Sequence, residues 1–177
     1  MHFHFELLSE AQARTLAGWR YPKPYDFHNL DAYVADPREL LDRRSPYYAA
    51  VDPRGELVGF FCFKRTAQVP AGFLAGAYDD PTALDVGLGL RPDLTGRGLG
   101  LDFVEAGLSL AREVFSPPSF RLSVATFNQR AIAVYERAGF TPTGTFVSRA
   151  NGEKHEFMVM VRPAVLESPA ADVGCPE

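Results

Sequence analysis

Two cysteines in 177 residues are too few for a disulfide framework, and no run approaches the roughly 18 apolar residues that a membrane-spanning helix needs. Cys62 falls in a β-prone segment and Cys175 in a tail of small residues, so neither a bond between them nor a catalytic thiol is expected. Excess positive charge is missing as well. The 18 Lys and Arg stand against 22 Asp and Glu, a formal charge of −4, which removes the basic footprint of a nucleic-acid binder. The four histidines show no ligand spacing, and His2 and His4 alternate with Phe3 and Phe5 as the solvent side of an edge strand would, so no metal is expected. The N-terminus carries no basic stretch followed by an apolar one, and the expectation is a cytoplasmic protein with neither membrane nor nucleic acid among its partners.

What the chain does have is glycine concentrated in one place. Residues Leu84 to Leu90 read as a strand, Arg91-Pro92 breaks it, and Thr95-Gly96-Arg97-Gly98-Leu99-Gly100 makes a glycine-dense turn. Beyond it Leu101, Val104, Leu108, Ala111 and Phe115 recur at three-four spacing, the apolar stripe of a helix that starts near Gly98. The first amides of such a helix lack intrahelical partners and carry the positive end of its dipole. Glycines there let an anion reach the backbone, and Arg91 and Arg97 add charge, so a phosphate-bearing ligand is the functional reading. A purely structural turn uses the same residues. No Lys-Ser or Lys-Thr follows the glycines, which excludes a P-loop, and their spacing does not fit the dinucleotide fingerprint.

Downstream, Phe120 to Phe127 alternates Leu122, Val124 and Thr126 with Arg121, Ser123 and Ala125 as a strand does. Asn128 is a good N-cap and Gly139 a good residue just past a helix end, so a helix is bracketed between them. Asn128 and Tyr135, seven positions apart, lie on one side of it.

With these two blocks in this order the chain resembles the GNAT superfamily of acyl-CoA-dependent N-acyltransferases. The family's diphosphate-binding signature, Gln or Arg, two residues, Gly, one residue, then Gly or Ala, stands here as Thr95 to Gly100, with Thr95 where the family usually has Gln or Arg. The family's second block stands as Asn128 through Tyr135-Glu136-Arg137-Ala138-Gly139-Phe140. The resemblance implies a mixed α+β fold with a central mixed, largely antiparallel twisted sheet flanked by helices. It implies acetyl-CoA as co-substrate and direct transfer of the acetyl group to a primary amine. Gly96, Arg97, Gly98, Leu99, Gly100, Thr95 and Asn128 would then serve the cofactor, with backbone groups of Leu88, Gly89 and Leu90 along its pantetheine arm. Gly87 and Gly89 would clear one strand face for that arm, or mark a bulge.

Tyr135 matches the family tyrosine that protonates the departing thiolate, a transfer uphill by only about two pH units for ordinary phenol and thiol values. Asp85 stands where many relatives carry an acidic residue and is the candidate base, or else a strand-end carboxylate. The segment Trp19 to His28 is either a wall of the acceptor site, with Tyr25 and Asp26 facing the amine, or an aromatic cap on the core. The expected acceptor is an amine-bearing small molecule or a peptide N-terminus; the oligomeric state is left open by the sequence, a homodimer being one option because relatives often pair. An acyl-CoA-binding module without catalysis and a transferase for longer acyl groups are the alternative readings.

The remaining chain reads as one domain over residues 1–163, with 164–177 a fraying tail. Its expected elements are a strand from Phe3 to Leu8, a helix from Glu10 to Ala17, and a helical segment from Asp31 to Asp42 interrupted at Pro37. Two hairpins complete it, Tyr47–Val51 with Glu56–Arg65, and Phe140–Arg149 with Glu156–Val161 around Asn151-Gly152.

Overall fold

The computed structural model describes residues 2–30, 34–150 and 153–165. Seven strands form one sheet: β1 (His4–Leu7), β2 (Tyr47–Val51), β3 (Leu57–Phe63), β4 (Ala83–Leu90), β5 (Ser119–Ala125), β6 (Thr141–Ala150) and β7 (Glu153–Pro163). Their order is β1-β2-β3-β4-β5-β7-β6, antiparallel throughout except where β4 meets β5. Among the described residues four α-helices accompany it, α1 (Glu10–Ala17), the single turn α2 (Ala71–Leu74), α3 (Gly100–Phe115) and α4 (Gln129–Arg137).

Local chemistry accounts for the helix limits. Ser9 and Gln12 form a reciprocal capping box at the start of α1. Asn128 Oδ1 accepts from Ala131 N at 3.2 Å to begin α4, and Gly139 ends it at φ +84°, where a side chain would be strained. Of the helical segment expected from Asp31 to Asp42, only Pro37–Leu41 is helical, as a 3₁₀ turn opened by Asp36, and 31–33 lie outside the described residues. The Asn151-Gly152 turn also lies outside them, although β6 and β7 close toward it with Ala150 opposite Glu153. The tail expectation needs one correction: Ala164 is buried, its N–H bonded to Pro118 O and its C=O to Arg112 Nε at 2.7 Å. Residues 166–177 are outside the described part.

Period-two alternation sorts the strands' side chains onto two faces. Phe61 and Phe63 of β3 point into a core with Phe103, Val104, Leu108 and Ala111 of α3 and Ile132 of α4. Cys62 points the other way, into a second core with Leu16 of α1, Trp19 and Leu40. Contact between α3 and the sheet is made by two glycines that each receive a ring. A Cβ on Gly59 would lie 2.4 Å from Phe103, and one on Gly107 would lie 2.1 Å from Phe61. Gly107 therefore survives inside a helix despite its low propensity. Gly107→Ala is expected to lower stability by about 1–3 kcal/mol, since a fully buried Phe61 must move for a gain in helix propensity of at most about 1 kcal/mol. Urea unfolding checks this, and a midpoint at or above that of the parent protein would contradict it.

Candidate functional site

The parallel pair β4 and β5 is matched only at Ala83↔Ser119, Leu84↔Phe120 and Asp85↔Arg121, after which the two strands part. Burial follows: residues 83 to 86 of β4 are buried and residues 87 to 90 are half-exposed. Arg91 N donates to Val58 O, so Gly89 and Gly87 sit in hydrogen-bonded pairs with β3, while Leu88 and Leu90 turn their N–H and C=O toward the gap. A strand edge left unpaired inside a fold is a template for another extended chain of amides. One of its groups is taken, since the Tyr21 hydroxyl donates to Leu90 O at 2.7 Å.

The face of Gly87 and Gly89 is not the open one. A Cβ on Gly87 would meet Cys62 Sγ at 2.6 Å, and one on Gly89 would meet the Phe60 ring at 2.5 Å and Tyr21 Oη at 3.1 Å. The cleared face expected for the pantetheine arm is thus filled by protein. The gap at the strand edge is what the structure offers, and for Gly89 the backbone is spent on β3. Cys62 itself is buried, its thiol pushed up to about 12 by desolvation, which leaves it unreactive.

At the end of β4 the glycine turn leads into α3, whose first turn has no side-chain cap. Gly96 and Gly98 have φ of +74° and +79°, a conformation that favours glycine. Backbone N–H groups from Gly96 to Leu101 donate to nothing among the described residues. Six free amides at the positive end of a 16-residue helix suit an anion. Gly100 has a different reason: a Cβ there would stand 2.9 Å from Val134, so this glycine lets α3 close on α4. Two expectations about side chains change here, and that for Arg97 does not. Thr95 gives its only hydroxyl proton to Pro92 O at 2.8 Å and has none for a phosphate. Arg91 is held by Asp93 at 2.7 Å and by Leu57 O, with Glu56 at 3.6 Å, and is not available to a ligand. Arg97 is exposed and makes no hydrogen bond or ion pair among the described residues.

On α4, Asn128 uses its carbonyl oxygen as the helix cap, leaving its amide protons for a ligand. Tyr135 is half-buried against the main core, on which Leu88 and Leu90 of the strand edge and Leu99, Leu101 and Ala131 also pack. Its ring meets Phe140 at 6.1 Å, and its hydroxyl has no hydrogen-bond partner among the described residues. Desolvation pushes its pKa up to about 12. The gap to an ordinary thiol widens to about 3.5 pH units, so a proton would be shared in the transition state rather than handed over beforehand.

Asp85 is placed elsewhere. It is buried, with Oδ1 accepting from Arg121 Nε at 2.6 Å and Oδ2 accepting from Arg121 Nη2 at 2.9 Å and Gln68 Nε2 at 2.6 Å. Arg121 is buried too, bonded to Asp80 O and lying over the Tyr78 ring, whose hydroxyl meets Ser123 at 3.0 Å. A base must turn a free oxygen toward its substrate, and Asp85 has three of its roughly four acceptor positions filled by Arg121 and Gln68. The expected base is instead half of an ion pair that locks the last matched rung before the strands part.

The segment from Trp19 to His28 divides between two surroundings. Trp19 belongs to the second core, whereas Tyr25–His28 forms a 3₁₀ turn beside Phe127, the residue before the cap of α4. Tyr25 lies 5.8 Å from the Phe127 ring, and Asp26 is half-buried with a carboxylate that bonds to nothing among the described residues. Phe27 stacks on His155 at 4.8 Å and touches His28 at 4.0 Å. Nε2 of His28 is buried without a partner, and burial, then the nearby His155, brings its pKa down to about 4. The sign is fixed: the unfolded chain takes up a proton near 6.5 and the folded one does not, so stability is whole above pH 6.5 and erodes as pH falls toward 4. The loss attributable to this group reaches about 3 kcal/mol. Urea midpoints at pH 7.5 and 4.5 should converge in His28→Gln relative to the parent, and an equal drop in both proteins would refute the assignment.

Sequence reasoning missed Tyr21, Gln68, Arg121 and Arg130, each of which acts through a partner distant in the chain. The alternation in β5 names Arg121 without giving it a role, and its burial beside Asp85 comes from the tertiary structure. No helix among the described residues is long and apolar enough to cross a membrane.

A family model described as the acetyltransferase (GNAT) family matches residues 9–140. A peptidyl-lysine N-acetyltransferase, YjaB, of Salmonella typhimurium is 27% identical over 87% of this chain and 93% of its own length. A mycothiol acetyltransferase of Salinispora tropica is 33% identical over 53% of this chain, which spans 28% of that relative. Among solved structures, a chimera of the Vibrio cholerae spermidine N-acetyltransferase SpeG and hSSAT superposes with a TM-score of 0.66 at 16% identity, covering 93% of this chain and 97% of that one. At that identity the likeness speaks to the fold.

Proposed function

Because the chain belongs to the acetyltransferase (GNAT) family and is an N-acetyltransferase, we propose that it moves the acetyl group of acetyl-CoA directly to a weakly basic primary amine. The acceptor is a peptide N-terminus or an amine-bearing small molecule. One observation carries this: six unbonded amides, Gly96 to Leu101, follow a strand whose last residues are no longer paired with β5. In this reading Gly96, Arg97, Gly98, Leu99 and Gly100 offer backbone donors to the diphosphate. Leu88 offers N–H and C=O to the pantetheine amides, Leu90 adds its N–H, and Asn128 adds its amide protons. When bound, acetyl-CoA supplies the thioester that the acceptor amine attacks. An N–H on the open edge of β4 meets the charge that develops on the acyl oxygen, and Tyr135 donates toward the departing sulfur.

The choice of a weakly basic amine follows from the occupation of Asp85. Without a side-chain base, the acceptor must lose its proton to water. An α-amine with a pKa near 7.8 is neutral in roughly one molecule of seven at pH 7, against about one in 2,500 for a lysine near 10.4. Asp26, half-buried and unengaged, fits the role of holding the ammonium form as it arrives.

Calorimetry with coenzyme A and acetyl-CoA, followed by thiol release with DTNB over a panel of amines and acyl chain lengths, tests the reading. Uptake in solution and faster release with free peptide N-termini than with lysine side chains are expected. Absence of coenzyme A uptake would overturn it, and binding without thiol release for any amine would make the chain an acyl-CoA-binding module.

A further inference from the structure

Thr95 has no proton for a phosphate, and the glycine turn's own Arg97 is exposed and unanchored. A second cation reaches the same turn from α4. The Arg130 guanidinium lies over the Tyr25 ring, 4.4 Å from its centroid, and its Nη1 stands 3.4 Å from where a Cβ on Gly96 would be. Tyr25 is in turn seated against Phe127. Arg130 makes no hydrogen bond or ion pair among the described residues, so its donors are uncommitted.

We propose that Arg130 supplies the side-chain cation for the diphosphate of the acyl-CoA, and that Tyr25 is its positioning residue. The inference rests on the acetyl-CoA reading above. A guanidinium stacked by its face on an aromatic ring keeps its in-plane N–H groups free to point outward, and the stack reduces the freedom lost when they bind. Gly96, beside which Nη1 stands, opens the row of free amides from Gly96 to Leu101. Tyr25 sits in the segment before β2 that was expected to wall the acceptor, so its contribution passes through Arg130 to the donor instead. Arg130 and Tyr25 together replace what the family places at position 95.

The test is calorimetric titration of coenzyme A and dephospho-coenzyme A into the parent protein, Arg130→Gln, Tyr25→Leu, Tyr25→Phe and the Arg130→Gln/Tyr25→Leu double variant, each first verified as folded by circular dichroism. Arg130→Gln is expected to raise Kd about tenfold for both ligands, as loss of a charge-assisted contact does. Tyr25→Leu should weaken binding about threefold, Tyr25→Phe should restore most of that because the ring is kept, and Tyr25→Leu should add nothing once Arg130 is gone. Arg130→Gln binding within twofold of the parent would overturn the proposal. So would a penalty that disappears with dephospho-coenzyme A, which would assign Arg130 to the ribose phosphate, or a Tyr25→Leu effect undiminished in the double variant. If the parent protein itself takes up neither ligand, the acetyl-CoA reading fails rather than the role of Arg130 within it.

Discussion

Arg121→Met is expected to destabilise the protein by about 3–5 kcal/mol, because it leaves the Asp85 carboxylate buried with Gln68 alone. The pair joins the last matched residues of β4 and β5, 36 positions apart in the chain, and each partner is about 5% exposed or less. Removing one charge is costlier than removing both. Asp85→Leu/Arg121→Met should recover more than half of the loss, falling short of the parent because Asp80 O and Gln68 also lose partners. Urea unfolding of the three proteins measures both numbers, and a single-variant loss under about 1 kcal/mol would mean that the pair does not hold the rung. Asp85→Asn adds a kinetic arm. Since no substrate proton passes through a carboxylate occupied in this way, the acid limb of the pH–rate profile should keep its midpoint in the fraction that folds. A move of more than about 0.5 pH units would return Asp85 to the role of base.

Tyr135→Phe is expected to lower turnover at least tenfold while coenzyme A affinity stays within about twofold. The structure makes this variant a clean probe. The hydroxyl bonds to nothing among the described residues, so its removal breaks no structural contact, and the ring that packs on Phe140 is kept. With its pKa pushed up to about 12, the phenol stays protonated across the working range, and any alkaline limb below pH 10 must belong to another group. Single-turnover measurement at saturating donor separates chemistry from product release. Equal turnover in the two proteins would remove Tyr135 from the proton path and leave it as packing.

Elements decided by near neighbours were legible. The α4 limits came from Asn128 and Gly139, and the glycine turn came from a proline break followed by residues that tolerate positive φ, both properties of the backbone within a few positions. The helical stripe after Gly100 was also correct in phase, though it missed Phe103 and Gly107, because only the rings of β3 explain why a phenylalanine and a glycine belong on the buried face. Side-chain occupations were not legible. Asp85 looked like a free carboxylate beside two glycines, and Arg91 looked like a phosphate contact, since neither residue type announces which partner it will find.

From its amino acids alone, the chain determined the glycine turn, the bracketed helix that carries Tyr135, and through them its family. Those depend on φ, ψ and capping groups that each short segment settles for itself. The tertiary structure decided that the edge of β4, rather than its glycine face, is left open, that Asp85 is bound to Arg121, and that Arg130 lies over Tyr25 beside Gly96. Each of these is a meeting of residues far apart in the chain, and the energy of such a meeting comes from burial and charge pairing that no local pattern encodes.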